Sequence, residues 1–277
     1  MKRIASLRLA AVLGLALALS GAGRSGAPAQ QSPESGERLA QLLGRAKAYC
    51  LKLERAALDF TCIEKIEEKT YRLPELDPDA VLDNFGRVGY SYSVPRMAYY
   101  ARNYVYDYQF VRKGDRRIER RTLIEEDGRK KKEDDATLAT QNIRVQNALF
   151  GPVGLVGDVA QARHDYKIVG EERLDGRKVL VIESFPRLSP DRLHCFGRIW
   201  VREDDGCAVK ISWDQTSVGN FEIIQAKARE LDASPQLTSI TEYGLEKNGL
   251  RFPSKDTTEE AYVKKGKKFV KFSGRED

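Results

Sequence analysis

The sequence predicts an α+β fold: a curved, mostly antiparallel β-sheet with helices packed on one side. Three observations predict it. Runs of alternating apolar and polar residues recur, the longest being Tyr99 to Lys113, and several are joined by Asp-Gly or Asn-Gly turns. Two stretches, Glu37 to Leu58 and Phe221 to Leu231, repeat at helical spacing instead. An apolar strand, Val179 to Phe185, leads through a proline-containing loop into a hairpin carrying Trp200 and Trp213, with no catalytic constellation in it.

In chain order, the first residues read as a secretory signal. Lys2, Arg3 and Arg8 are cationic, Leu9 to Leu19 is apolar, and Ala27-Pro28-Ala29 fits a small-x-small cleavage site. Residues 1–29 are therefore expected to be removed. The apolar run is short for a membrane span, and no cysteine follows it to carry a lipid. Residues 30–36 form a flexible lead to a single domain over residues 37–277. Its first helix, Glu37 to Leu58, presents Leu39, Leu42, Leu43, Ala46, Leu53 and Ala57 on one side.

Phe60 to Tyr71 is the first strand, and Leu73 to Pro95, punctuated by Pro and Gly, is mainly loop. Tyr99 to Lys113 and Arg117 to Glu126 form a hairpin around Gly114 and Asp115. Gly128 to Asp135 is a charged turn or loop. Ala136 to Phe150 holds a short helix ended by Gly151-Pro152, and Gly151 to Gly157 is an apolar glycine-rich loop. Tyr166 to Arg173 and Lys178 to Phe185 pair through Asp175-Gly176. The tryptophan hairpin then sets Phe196 opposite Trp213 and Trp200 opposite Val209. Pro235 separates the second helix from a strand at Gln236 to Leu245. Asn248-Gly249 turns into Leu250 to Val263, and Gly266 into Lys268 to Phe272.

Charge excludes one class of partner. The chain has 47 basic and 41 acidic side chains, but Lys2, Arg3, Arg8 and Arg24 lie in the signal, which leaves 43 against 41. Long-range attraction to nucleic acid is not supported. The four cysteines sit in an exported chain, where disulfides form. Cys50 and Cys62, at the end of a helix and the start of the next strand, are the expected pair. Cys195 and Cys207 are poor partners for each other in a regular hairpin.

Candidate binding residues come from the strands. Tyr100, Tyr104, Tyr106, Tyr108 and Phe110 share one face, interrupted by Arg102. They form either the wall of a cavity for an amphiphile or sheet core beneath a helix. Trp200 and Trp213 are either ligand contacts or cross-strand packing. The Gly151 to Gly157 segment lacks a phosphate-loop ending, and is either a lid or a close-packed connection. The basic run Lys264 to Lys268 is a charged turn or a contact for anionic lipid. With only His164 and His194 and no paired CxxC or HExxH, no metal, cofactor or nucleophile set is expected.

This order resembles the LolA/LolB-like lipoprotein-carrier superfamily and is similar to uncharacterised exported bacterial members of it. The resemblance is carried by the Glu37 to Leu58 helix before Phe60 to Tyr71, and by the Asp175-Gly176-Arg177-Lys178-Val179-Leu180-Val181-Ile182-Glu183 hairpin arm. Trp200-Val201-Arg202-Glu203-Asp204-Asp205-Gly206 and Gly249-Leu250-Arg251-Phe252-Pro253-Ser254 add to it. It implies a half-barrel covered by helices. It also implies a non-enzymatic periplasmic role in binding or carrying a lipid, a lipoprotein acyl chain or a similar amphiphile. A protein-binding sensor or scaffold of the same fold, engaging a membrane-associated protein, is the alternative. The charged insertion around Arg129 to Asp135 departs from a compact carrier, and the resemblance implies an additional strand after Phe272, with a C-terminus that is open to being incomplete.

Overall fold

A computed structural model of the chain describes residues 33–56, 60–71, 73, 98–113, 116–142, 148–174, 176–187, 195–219 and 221–277. The expected signal, residues 30–32 of the lead, most of the Leu73 to Pro95 loop, the Gly114-Asp115 turn and His194 lie outside them. The strands are β1 (Thr61–Tyr71), β2 (Ala98–Lys113), β3 (Arg116–Glu126), β4 (Arg129–Glu133), β5 (His164–Leu174), β6 (Arg177–Pro186), β7 (Gly197–Arg202), β8 (Ala208–Trp213), β9 (Ser234–Glu242), β10 (Leu245–Lys247), β11 (Leu250–Phe252), β12 (Lys255–Lys264) and β13 (Lys267–Glu276). The α-helices are α1 (Pro33–Ala56), α2 (Gly151–Val156), α3 (Asp158–Arg163) and α4 (Phe221–Glu230).

Eleven strands form one open sheet in the order β4-β3-β2-β1-β13-β12-β9-β8-β7-β6-β5, and β10 and β11 form a separate hairpin. Two-residue turns fold neighbouring strands back on each other. Asp127-Gly128, Asn248-Gly249 and Lys265-Gly266 each have positive φ at both positions, as the type I′ hairpin turn requires. The sheet is curved. Tyr108 and Phe110 on β2 share one core with Leu180 and Ile182 on β6. Those strands stand third and tenth in the order, and in a flat sheet they would lie about 34 Å apart. The architecture is an α+β half-barrel, open at β4 and β5.

Side-chain alternation gives this sheet an inner face toward α1. A directly paired row crosses nine strands: Tyr104, Ile66, Glu276, Asp256, Thr241, Ile211, Ile199, Ile182 and Ile168. Its isoleucines on β6, β7 and β8 are fully buried beneath α1. Helix α1 buries Leu39, Leu42, Ala46, Tyr49, Cys50 and Leu53, each large aliphatic contributing roughly 1.5–3 kcal/mol. It rests directly on the turn between β7 and β8. Gly206 there has φ +73, and a Cβ on it would sit 2.4 Å from the Arg45 carbonyl carbon.

Several sequence expectations are corrected. Helix α1 begins at Pro33, inside the expected lead. The charged segment after Gly128 is an exposed edge strand, β4, whose five charged side chains suit an edge that must not recruit another chain. Gly151 to Val156 is helical, with Pro152 in the first turn and Leu155 and Val156 buried. In the described part of Ala136 to Phe150, the helical element is a single 3₁₀ turn, Ala148–Phe150. A bulge between Trp200 and Val201 shifts the tryptophan hairpin, so Gly197 faces Trp213 and Trp200 faces Lys210. Gln236 to Leu245 and Leu250 to Val263 are each broken, which releases the β10–β11 hairpin from the main sheet. Finally, all four cysteines are free. Cys50 is buried by α1 against the core and Cys62 lies on β1, so the expected Cys50–Cys62 disulfide is not formed.

Candidate ligand-binding cavity

Inward alternation places carboxyl groups where apolar packing would otherwise run. On β1, Glu64 and Glu68 flank Ile66 on the inner face, and both are buried. Glu68 is satisfied by a covering segment, accepting from the backbone N–H of Gln141 at 3.0 Å and of Asn142 at 2.6 Å. Glu64 accepts two bonds from Arg121 of β3, Nε to Oε2 at 2.7 Å and Nη2 to Oε1 at 2.8 Å. A buried ion pair persists when its remaining hydrogen bonds are also made. Arg121 Nη1 donates to Glu119 Oε2 at 3.2 Å, and the Tyr108 hydroxyl donates to Glu119 Oε1 at 3.0 Å. The guanidinium also lies 4.9 Å from the Tyr108 ring centroid. Burial pulls against the Arg121 charge, but Glu64 and Glu119 more than offset it and raise its pKa.

Asp256 and Glu276 stand directly opposite each other on β12 and β13. Asp256 accepts a 2.6 Å bond from Thr241 Oγ1, which in turn accepts from Trp213 Nε1 at 3.1 Å. Burial pushes the Asp256 carboxyl up to about 6, against the pull of Thr241 and Thr258. Burial, and then the charge of Glu64, push Glu276 well above the usual carboxylate range. Its Oε2 is buried with no hydrogen-bond partner.

These groups line a partly open cavity of about 90 Å³. Phe60, Ile63, Ala148, Leu149, Leu245 and Pro253 supply its apolar wall; Glu64, Tyr108, Glu119, Arg121, Asp256 and Glu276 contribute polar groups. Phe60 is held by stacking on Phe252 of the β10–β11 hairpin, with ring centroids 4.9 Å apart. Leu245 on the same hairpin is 54% exposed and marks the mouth. Phe60, Cys62, Tyr108 and Leu149 of its lining belong to the main core, whereas a second cluster of Ile66, Tyr104, Tyr106, Leu123 and Phe272 supplies none of the lining residues. The cavity is smaller than the roughly 150 Å³ of an apolar cavity that holds benzene, so it suits one end of a ligand rather than a whole acyl chain. Chemically it can hold water, a proton or a cation. Cys62 also lines it, but burial pushes that thiol up to about 12, which keeps it neutral and a poor nucleophile. Among the described residues, no group of three or more His, Cys, Asp or Glu side chains is placed to hold a metal ion.

The structure distributes the sequence candidates unevenly. Tyr108 lines the cavity, whereas Phe110 packs in the main core at a centroid distance of 5.0 Å from Phe150. Tyr104 and Tyr106 are buried in the second cluster, closed over by Ala139, which donates its backbone N–H to the Tyr106 hydroxyl and accepts from Tyr104. Tyr100 is half-buried, its hydroxyl 3.3 Å from that of Tyr104. Trp213 faces inward and reaches the cavity's acids through Thr241. Trp200 faces the opposite side, with Lys210 Nζ 4.6 Å from its ring centroid. His164 is buried, its Nδ1 2.6 Å from Ser184 Oγ. Sequence reasoning missed Glu64, Arg121, Asp256 and Glu276. The available signal was the parity of Glu64 with Ile66 in a strand that otherwise reads as solvated.

No helix among the described residues is long and apolar enough to cross a membrane. No family model matches the chain, and no curated protein matches it. Among solved structures it is similar to a LolA superfamily protein, NE2245, from Nitrosomonas europaea, at 14% identity, covering 86% of this chain and 90% of that one, with a TM-score of 0.37. It is similar to a DUF1329 family protein from Desulfovibrio piger at 10% identity, covering 85% and 90%, with a TM-score of 0.34. The Pseudomonas aeruginosa MucA/MucB complex is matched at 11% identity, covering 88% and 93%, with a TM-score of 0.22. Likenesses of this size carry no argument, and the assignment to an open half-barrel rests on the strand order and register of the sheet itself.

Proposed function

We propose that this chain is an exported, non-enzymatic binding or carrier protein that takes a lipid, an acyl chain or a similar amphiphile on the inner face of its half-barrel. The observation that carries this reading is the cavity itself, an apolar-walled recess beside the main core with polar groups in its lining. Such a site shields apolar surface at about 0.8 kcal/mol per buried methylene while a polar end finds partners. The leading segment, with its cationic start and apolar run, supports export. The neutral Cys62 thiol favours binding over nucleophilic catalysis. Delipidated full chain titrated with a fluorescent acyl probe below its micelle threshold should bind saturably, and native mass spectrometry of protein before delipidation should retain an amphiphile. Absence of saturable uptake would remove the proposal.

A second reading, polypeptide binding, is favoured by one observation. Strand β5 is an eleven-residue edge paired only with β6 among the described residues, and Val169 and Leu174 are exposed on it. Such an edge can accept an added strand.

A further inference from the structure

Every buried carboxyl around the cavity has its donors except one. Glu64 is held by Arg121, Glu68 by the backbone of Gln141 and Asn142, and Asp256 by Thr241. Glu276 Oε2 is buried, faces the cavity and has no partner. Groups of this kind are rarely left unmade, because desolvation without a hydrogen bond is costly. The Glu276 carboxyl is also hydrogen-bonded to Glu64, which leaves Oε2 as the oxygen that a ligand donor would satisfy.

The charge around the cavity says which donor. Glu64, Glu119, Asp256, Glu276 and Asp277 line it, against Arg121 and Lys255. Arg121 is already committed to Glu64 and Glu119, and Asp277 takes its bond from Arg275 at 2.8 Å. An anionic head would meet excess carboxyls, whereas an ammonium brings three donors on a compact charge. The acids are not arranged as a metal site among the described residues. Resting on the amphiphile-binding reading, we propose that the cavity receives the cationic end of its ligand, a primary alkylammonium group bonded by Glu276 and Asp256, with the chain running out past Leu245.

Binding is then linked to protons. The groups facing the pair are Cys62 and Glu64 on β1, Tyr108 on β2, Glu119 and Arg121 on β3, Lys255 on β12 and Asp277 after β13. Asp256 is pushed up to about 6 and Glu276 well above the usual range, so the empty cavity retains protons that a cation displaces. Affinity for an alkylammonium rises with pH through that window.

The test is a competition panel on the delipidated full chain with octylamine, octanoate and octanol. At about pH 8, octylamine should bind about tenfold or more tightly than the other two, and the advantage should shrink at about pH 5. Glu276→Gln should erase the advantage of octylamine over octanol at about pH 8. Equal binding of octylamine and octanol, or tightest binding of octanoate, overturns the ammonium assignment but leaves the amphiphile reading standing. Binding of none of the three overturns both. The panel on the unmodified chain decides the matter even where a variant fails to fold, and Asp256→Asn gives a second isosteric probe.

Discussion

Asp256 shows how one inward carboxyl shapes the whole pH response. Its carboxyl is held at about 6, against about 3.9 in an unfolded chain. The folded state binds the proton more tightly, so this group's contribution to stability is full below about pH 3.9 and is lost as pH rises through about 6. A shift of this size corresponds to on the order of 3 kcal/mol at pH 7. Asp256→Asn keeps an acceptor for Thr241 and removes the charge. Its denaturation midpoint should exceed that of the natural chain by a margin worth about 2–3 kcal/mol at neutral pH, converging below about pH 4. A variant less stable at neutral pH than at acid pH, relative to the natural chain, would count against the buried-charge account. None of this was legible in the sequence. Glu64, Asp256 and Glu276 are brought together only by the pairing of β1, β13 and β12, and the first and last described strands are neighbours. Locally, the acids of Thr61–Tyr71 read as the wet side of a strand.

At the scale of elements, legibility followed local chemistry. The apolar stripe of α1, the alternation of β2 and the Asn248-Gly249 turn each carry their own signal, and each formed as expected. Elements set by context were misread. Strand β4 has charged side chains throughout, and its evidence was the Asp127-Gly128 turn rather than any apolar pattern. The glycine-rich α2 is helical because Pro152 starts it and the core buries Leu155 and Val156. The bulge at Trp200 was invisible because it depends on the partner strand. The docking of α1 on the β7–β8 turn gives a sharp test. Gly206→Ala would add a Cβ 2.4 Å from the Arg45 carbonyl carbon at φ +73, so α1 must move or the turn must change. The substitution should lower stability by about 2–4 kcal/mol. It should also raise hydrogen exchange along α1 more than along β12 and β13. Uniform loss of protection would show that α1 is not docked through this contact.

At the scale of the molecule, the half-barrel holds two hydrophobic clusters with a row of polar side chains, Glu276, Asp256 and Thr241, between them, and residues that hold the fold separate from those proposed to hold a ligand. Tyr106 is fully buried in the second cluster and belongs to the first kind. Leu245, half in solvent at the mouth, belongs to the second. A ligand at about one hundred times its Kd stabilises a folded protein by about 2.7 kcal/mol whatever the starting stability. Tyr106→Ala should therefore cost about 3–4 kcal/mol in the unliganded chain while keeping the full ligand increment. Leu245→Ala should change unliganded stability by no more than about 0.5 kcal/mol, because its side chain is already largely wet, and should shrink the increment at fixed ligand concentration. Denaturant melts of the natural chain and both variants, with and without octylamine or octanol, read the two quantities separately. Loss of the increment in a folded Tyr106→Ala chain would move the site toward the tyrosine stripe. An unchanged increment in Leu245→Ala would take the mouth of the cavity away from the β10–β11 hairpin.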